Sequence, residues 1–177
     1  MSKTVDQIIN DIIQKEGGWV DHPDDRGGPT NWGITIAVFR EVRPAATVEQ
    51  LRALTRAEAF EIYRSKYYTA PRFDLIFAVS PRIAAELTDT GVNMGVAVAS
   101  RFLQRALNLF NDSGRIYPDL TVDGRVGKIT ANALRSFLQR RGAEGEKVLL
   151  NTLNALQANR YIELTEARQQ NESFVYG

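Results

Sequence analysis

Five apolar residues near the N-terminus, Val5, Ile8, Ile9, Ile12 and Ile13, recur at intervals of three and four. That period puts one stripe along a helix facing a core. Glu16 continues the stripe, three positions after Ile13 and four after Ile12, so the pattern predicts a carboxyl carried toward the buried side at the last helical turn. Gly17 and Gly18 then end the helix. The Pro, Asp and Gly residues that follow read as a turn. Trp32 and Ile34 alternate beyond it, which predicts the tip of a short, irregular hairpin folding back over Glu16. Ile36, Phe39 and Val42 mark another helix, stopped by Pro44. Thr47 with Gln50, and Thr55 with Glu58, have capping-box spacing and open two more helices. The second of these carries Ile62, Tyr63, Tyr67 and Tyr68.

Residues 71–81 read as a connector. A helix is predicted from Pro81 through Ile83, Ala84 and Leu87, and another through Ala99, Phe102, Leu103, Ala106, Leu107 and Phe110. A loop over 111–127 leads to a helix through Leu134, Phe137 and Leu138, and a long helical pattern runs over 146–171. The expected architecture is mainly α with one small β-hairpin. There is no internal repeat and no low-complexity linker, so residues 1–90 and 91–177 are expected to pack as one unit.

A chain of 177 residues, 44% hydrophobic, is long enough to bury a sizeable core. Its net charge of +1 gives no argument for a nucleic-acid partner or for stable membrane insertion. Residues 1–90 hold 11 basic and 13 acidic side chains and residues 91–177 hold 11 and 8, a mildly basic second half of the size a solvated surface shows. The absence of Cys excludes disulfides, thiol catalysis and Cys-ligated zinc, and one histidine, His22, cannot supply a His-rich metal site. No metal or cofactor is expected. Charges interrupt the apolar positions of residues 1–15, which therefore read as neither signal peptide nor membrane span; the expected location on synthesis is the cytoplasm.

The candidate chemistry lies between Glu16 and Thr35. Burial and the negative end of a helix dipole both disfavour a charged Glu16, which predicts a raised pKa and a carboxylic acid able to give up a proton. Asp21, Asp24 and Asp25 fall in a solvated turn that leaves a carboxylate ionised. One protonated carboxyl on a helix and one ionised carboxylate on a facing loop is the pairing that glycoside hydrolysis needs. The bland alternatives are a Glu reaching water from a helix end, the commoner fate of Glu, and an Asp that stabilises its own turn. Trp19 and Trp32 suit a core as well as a sugar face. Thr35, ahead of a helical run, reads better as a cap than as a site residue, and Asn93 reads equally as a local helix breaker.

Glu16-Gly17-Gly18-Trp19 and then Asp25-Arg26-Gly27-Gly28-Pro29-Thr30-Asn31-Trp32-Gly33-Ile34-Thr35 resemble the signature of the glycoside hydrolase family 108 muramidases found as phage endolysins and in prophages. The order Glu, Asp, Thr is also similar to that of phage-type lysozymes. The same eight residues intervene between Glu16 and Asp25, with a gap to Thr30 one residue shorter. The resemblance implies a lysozyme-like fold and hydrolysis of the β-1,4 bond between N-acetylmuramic acid and N-acetylglucosamine. It implies Glu16, Asp25 and Thr30 as catalytic residues and peptidoglycan as partner. Trp19, Asn31, Trp32, Tyr67 and Asn93 are candidates for binding the glycan. Asp123-Gly124-Arg125-Val126-Gly127 resembles the turn of small peptidoglycan-binding modules. Release to the wall through a separate holin-like pore is the corresponding expectation, and the family usually continues past the point where this chain stops, at Gly177. A lytic transglycosylase using Glu16 alone, or a non-enzymatic wall-binding or secretion-assisting protein, are the competing readings.

Overall fold

In the computed structural model, which describes residues 3–21 and 28–167, the first helix, α1 (Val5–Glu16), opens with a capping box. Thr4 Oγ1 accepts from the Gln7 amide at 3.2 Å, and Gln7 Oε1 accepts from the Thr4 amide at 2.8 Å. Val5, Ile8, Ile9 and Ile13 form its buried face, and Gly17 ends it at φ 71°. Strands β1 (Thr30–Asn31) and β2 (Ile34–Thr35) pair antiparallel, Thr30 opposite Thr35 and Asn31 opposite Ile34. Val20 forms a bridge with Thr30 on the other side, each amide donating to the other's carbonyl. The hairpin tip is Trp32-Gly33, at φ 53° and 74°. Two successive left-handed residues make the turn that matches strand twist, and only the glycine adopts that conformation without steric cost.

Thr35 caps α2 (Ile36–Val42) through the Val38 amide, and the expected capping boxes open α3 (Val48–Arg52) and α4 (Arg56–Arg64). A π-helical turn, Ser65–Thr69, extends α4, with the Ala70 amide donating to the Ser65 carbonyl at 2.8 Å. Arg56 donates to Asn10 Oδ1 at 2.7 Å, tying α4 to α1. Ile9, Ile13, Ile34, Phe39, Leu51 and Ala59 fill the core of this first unit, which covers Met1–Ala70.

The second compact unit is Pro71–Gly177. The stretch expected as a connector contains a helix, α5 (Phe73–Phe77), whose Phe73 and Ile76 are fully buried. It is too short to show a period, and Arg72 precedes it at φ 64° where a polar cap would have announced it. Ser80 caps α6 (Pro81–Met94) through the Ile83 amide and also donates to Glu146 Oε1 at 2.6 Å, while Arg82 pairs with Glu146 Oε2 at 3.0 Å. Helix α7 (Val96–Leu109) follows. Its side chains fasten the long loop: Asn108 exchanges two hydrogen bonds with Leu120, and Tyr117 donates to the Leu107 carbonyl. Buried Gln104 clamps the 123–125 turn, donating to Asp123 Oδ1 and the Arg125 carbonyl and accepting from the Gly124 amide. Helix α8 (Lys128–Ala167) is broken at Gly142, φ 58° and ψ −150°, between the two helical patterns seen in the sequence. The compact units divide at Ala70.

Candidate active site

Glu16 is the last residue of α1, so its backbone is held by a helix whose Ile9 and Ile13 are completely buried. The side chain itself is exposed. This corrects the burial expected from the stripe: at the helix terminus the core has ended, and what reaches Glu16 is the tip of the hairpin. A methyl group on Gly33 would stand 2.7 Å from Glu16 Cγ, 2.9 Å from its Cβ and 2.5 Å from Tyr63 Oη. The missing side chain at Gly33 is thus the reason that the stem of Glu16 and the hydroxyl of Tyr63 can both close on the hairpin tip.

Tyr63 is buried on α4 and stacks on Tyr67, ring centroids 5.7 Å apart. Burial pushes its phenol pKa up, with further increments from Glu16 and then Tyr67. It stays a protonated hydrogen-bond donor at any pH where a wall hydrolase works. The sequence showed Tyr63 only as one residue of an aromatic helix; its spacing of four from Tyr67 was the available signal. Tyr67 is half-buried in the π-helical turn, with Lys66 Nζ 6.0 Å from its ring centroid. Lys66 in turn pairs with Glu41 at 2.7 Å.

The hairpin is anchored by its own polar groups. Asn31 is 4% exposed, and its Nδ2 donates to the carbonyls of Leu51, Arg52 and Leu54 at 2.9, 3.1 and 3.3 Å. Those carbonyls close α3, where a helix leaves its last acceptors without internal partners. Asn31 is therefore a structural clamp, turned into the core by strand alternation. Replacing it with Ala is expected to cost about 2–3 kcal/mol by stripping these acceptors of their buried donor. Urea denaturation of the variant reads this directly, and a midpoint equal to that of the parent would refute it.

Trp32 Nε1 donates to the Leu54 carbonyl at 3.0 Å, which holds the indole and its unfavourable positive φ in place. Trp19 is half-buried with the Arg52 guanidinium 5.5 Å from its ring centroid. Thr30 donates to the Gly28 carbonyl at 3.2 Å. Asp21 is exposed. Asp24 and Asp25, with His22, lie outside the described residues. Asn93 stands exposed near the end of α6 in the second unit, its Nδ2 donating to the Asp89 carbonyl and Oδ2. No group of three or more His, Cys, Asp or Glu among the described residues is placed to hold a metal ion.

Residues 9–95 match the family model described as glycosyl hydrolase 108, and residues 98–177 match that of a predicted peptidoglycan domain. The chain carries a glycosyl hydrolase family 108 domain. No curated protein matches the sequence significantly. Among solved structures the family 108 chain is similar to SagA of Brucella abortus, with 25% identity over 86% of this chain and 76% of that one and a TM-score of 0.62. The family 108 protein has the mainly helical, lysozyme-like fold. It is a glycoside hydrolase, an N-acetylmuramidase that cleaves peptidoglycan.

Proposed function

We propose that Glu16 is the general acid of this muramidase, protonating the leaving oxygen of the bond between N-acetylmuramic acid and N-acetylglucosamine. The observation that carries the reading is the setting of Glu16: a carboxyl on a rigid helix end, with its stem against the hairpin tip and a buried phenol beside it. A glycan strand laid over this exposed carboxyl removes it from water, and desolvation favours the protonated form that an acid needs. Asp25 orients and deprotonates the attacking water. Its support is the signature around it and the need for a base on the opposite face of the sugar. Thr30 has its hydroxyl proton engaged by Gly28, so it offers that water lone pairs. Trp19, Trp32 and Tyr67, all half-buried, present rings for sugar faces. Asn93, with its Nδ2 engaged, offers its amide oxygen to an acetamido group.

A water seated between Glu16 and Asp25 makes the displacement inverting, which needs carboxyls about 6.5–9.5 Å apart, wider than the roughly 5 Å of a retaining pair. Products from purified peptidoglycan test the whole reading. Mass spectrometry is expected to show reducing muramic ends, and proton NMR of the first product the α-anomer. Anhydro-muramic ends would replace hydrolysis by transglycosylation, and a β-anomer would replace inversion by retention. An endolysin or prophage origin, synthesis in the cytoplasm and passage to the wall through a holin-like pore complete the proposal. Fractionation of cells making the protein with and without a co-expressed pore is expected to move it out of the cytoplasm only with the pore.

A further inference from the structure

The reading of Glu16 as an acid leaves one problem. After the proton departs, a carboxylate remains beneath the glycan, where it needs a hydrogen-bond donor and a fixed orientation. The described residues around it hold one group suited to both needs. Tyr63 Oη and Glu16 Cγ both lie within 2.7 Å of a single point, the place where a Gly33 side chain would begin. Tyr63 is 5% exposed and comes from α4, while Glu16 comes from α1 and Gly33 from the hairpin tip. Three separate elements thus converge there, and the glycine is what keeps the space between the phenol and the carboxyl open.

We infer that Tyr63 is a positioning residue for the general acid: once a glycan covers Glu16, the Tyr63 hydroxyl donates a hydrogen bond to its carboxyl and holds the rotamer from which the proton is delivered, across the gap left by Gly33. The inference rests on Glu16 being the acid. The proton passes from Glu16 to the leaving oxygen and Tyr63 keeps its own throughout. The groups acting on Tyr63 favour this division of labour. Burial, Glu16 and Tyr67 all push its pKa upward, so it does not compete as an acid. The stack on Tyr67 holds the ring by its face. A donor aimed at the carboxylate stabilises the charge left after the proton departs.

Tyr63→Phe removes only the hydroxyl and keeps the ring and its stack. On solubilised glycan strands the variant is expected to lose about ten-fold or more in kcat with KM unchanged, the size of effect that a hydrogen bond to a charged group supplies. The basic limb of its pH–rate profile, which follows ionisation of the acid, is expected to move to higher pH. Thermal melting by circular dichroism runs alongside. An unchanged kcat and profile in a folded variant overturns the inference. So does a loss of rate that merely follows the fraction of protein unfolded. Glu16→Gln separates the two levels: if that variant still cleaves, the assignment of the acid has failed, whereas an inactive Glu16→Gln beside a fully active Tyr63→Phe removes the positioning role alone.

Discussion

Glu16→Gln is expected to abolish lysis of wall substrate while leaving the melting curve of the protein almost unchanged. Glutamine has the shape of the acid and the same place at the helix end but no proton to give, and general acid catalysis contributes about 10²–10⁴-fold in rate. Among the described residues the exposed side chain makes no hydrogen bond or ion pair whose loss would unfold anything, and its stem carbons remain to cover Gly33. The decisive measurement is turbidity clearance of peptidoglycan sacculi, with circular dichroism as the folding control. Clearance near the parental rate by a folded variant would remove Glu16 from the mechanism. Attention would then pass to Glu86 in the second unit. It keeps a buried Oε1 without a hydrogen-bond partner among the described residues, and burial followed by Asp89 raises its pKa.

Gly33→Ala is expected to damage both stability and rate. An alanine at φ 74° costs about 1–2 kcal/mol in backbone strain alone. Its methyl would also stand inside contact distance of Tyr63 Oη, Glu16 Cγ and Glu16 Cβ, and overpacking of this kind adds about 1–3 kcal/mol. Tyr63 is confined by burial and by its stack, so the more movable partner, the Glu16 side chain, is the one displaced. The rate loss is therefore expected to exceed what unfolding explains. Comparing specific activity per folded molecule with the parent decides this. A variant that melts early yet cleaves normally when folded would show that the close approach serves stability only.

The parts of this fold set by neighbours in sequence were legible in it. The boxes at Thr47 and Thr55, the cap at Thr35 and the buried stripe of α1 each depend on residues within four positions. What depends on distant partners was not. The stripe fixed which way Glu16 faces but not how far the core extends, and the core stops one turn earlier. The clamp made by Asn31 could not be read locally, because its three carbonyl partners lie more than one helix further along. Tyr63 entered the site through a hairpin tip that no local pattern could connect to it. Helix α5 escaped because five residues carry no period and it begins from a left-handed arginine. The signature from Glu16 to Thr35 carried the chemistry, and its middle, including Asp25, lies outside the described residues.

The π-helical turn over Ser65–Thr69 has a consequence for chain length. Its i to i+5 bond, from the Ala70 amide to the Ser65 carbonyl, takes up one residue more than the α-turn it stands in for. Such a turn is an insertion that a helix has absorbed locally. It carries Tyr67 and Tyr68 after Tyr63 while α4 keeps its start and its capping box. Removing one residue between 65 and 69 would return the segment to α geometry and leave α1, the hairpin and Tyr63 where they are. The aromatic surface that follows Tyr63 can thus gain or lose a side chain by a change in length, at the expense of a single turn.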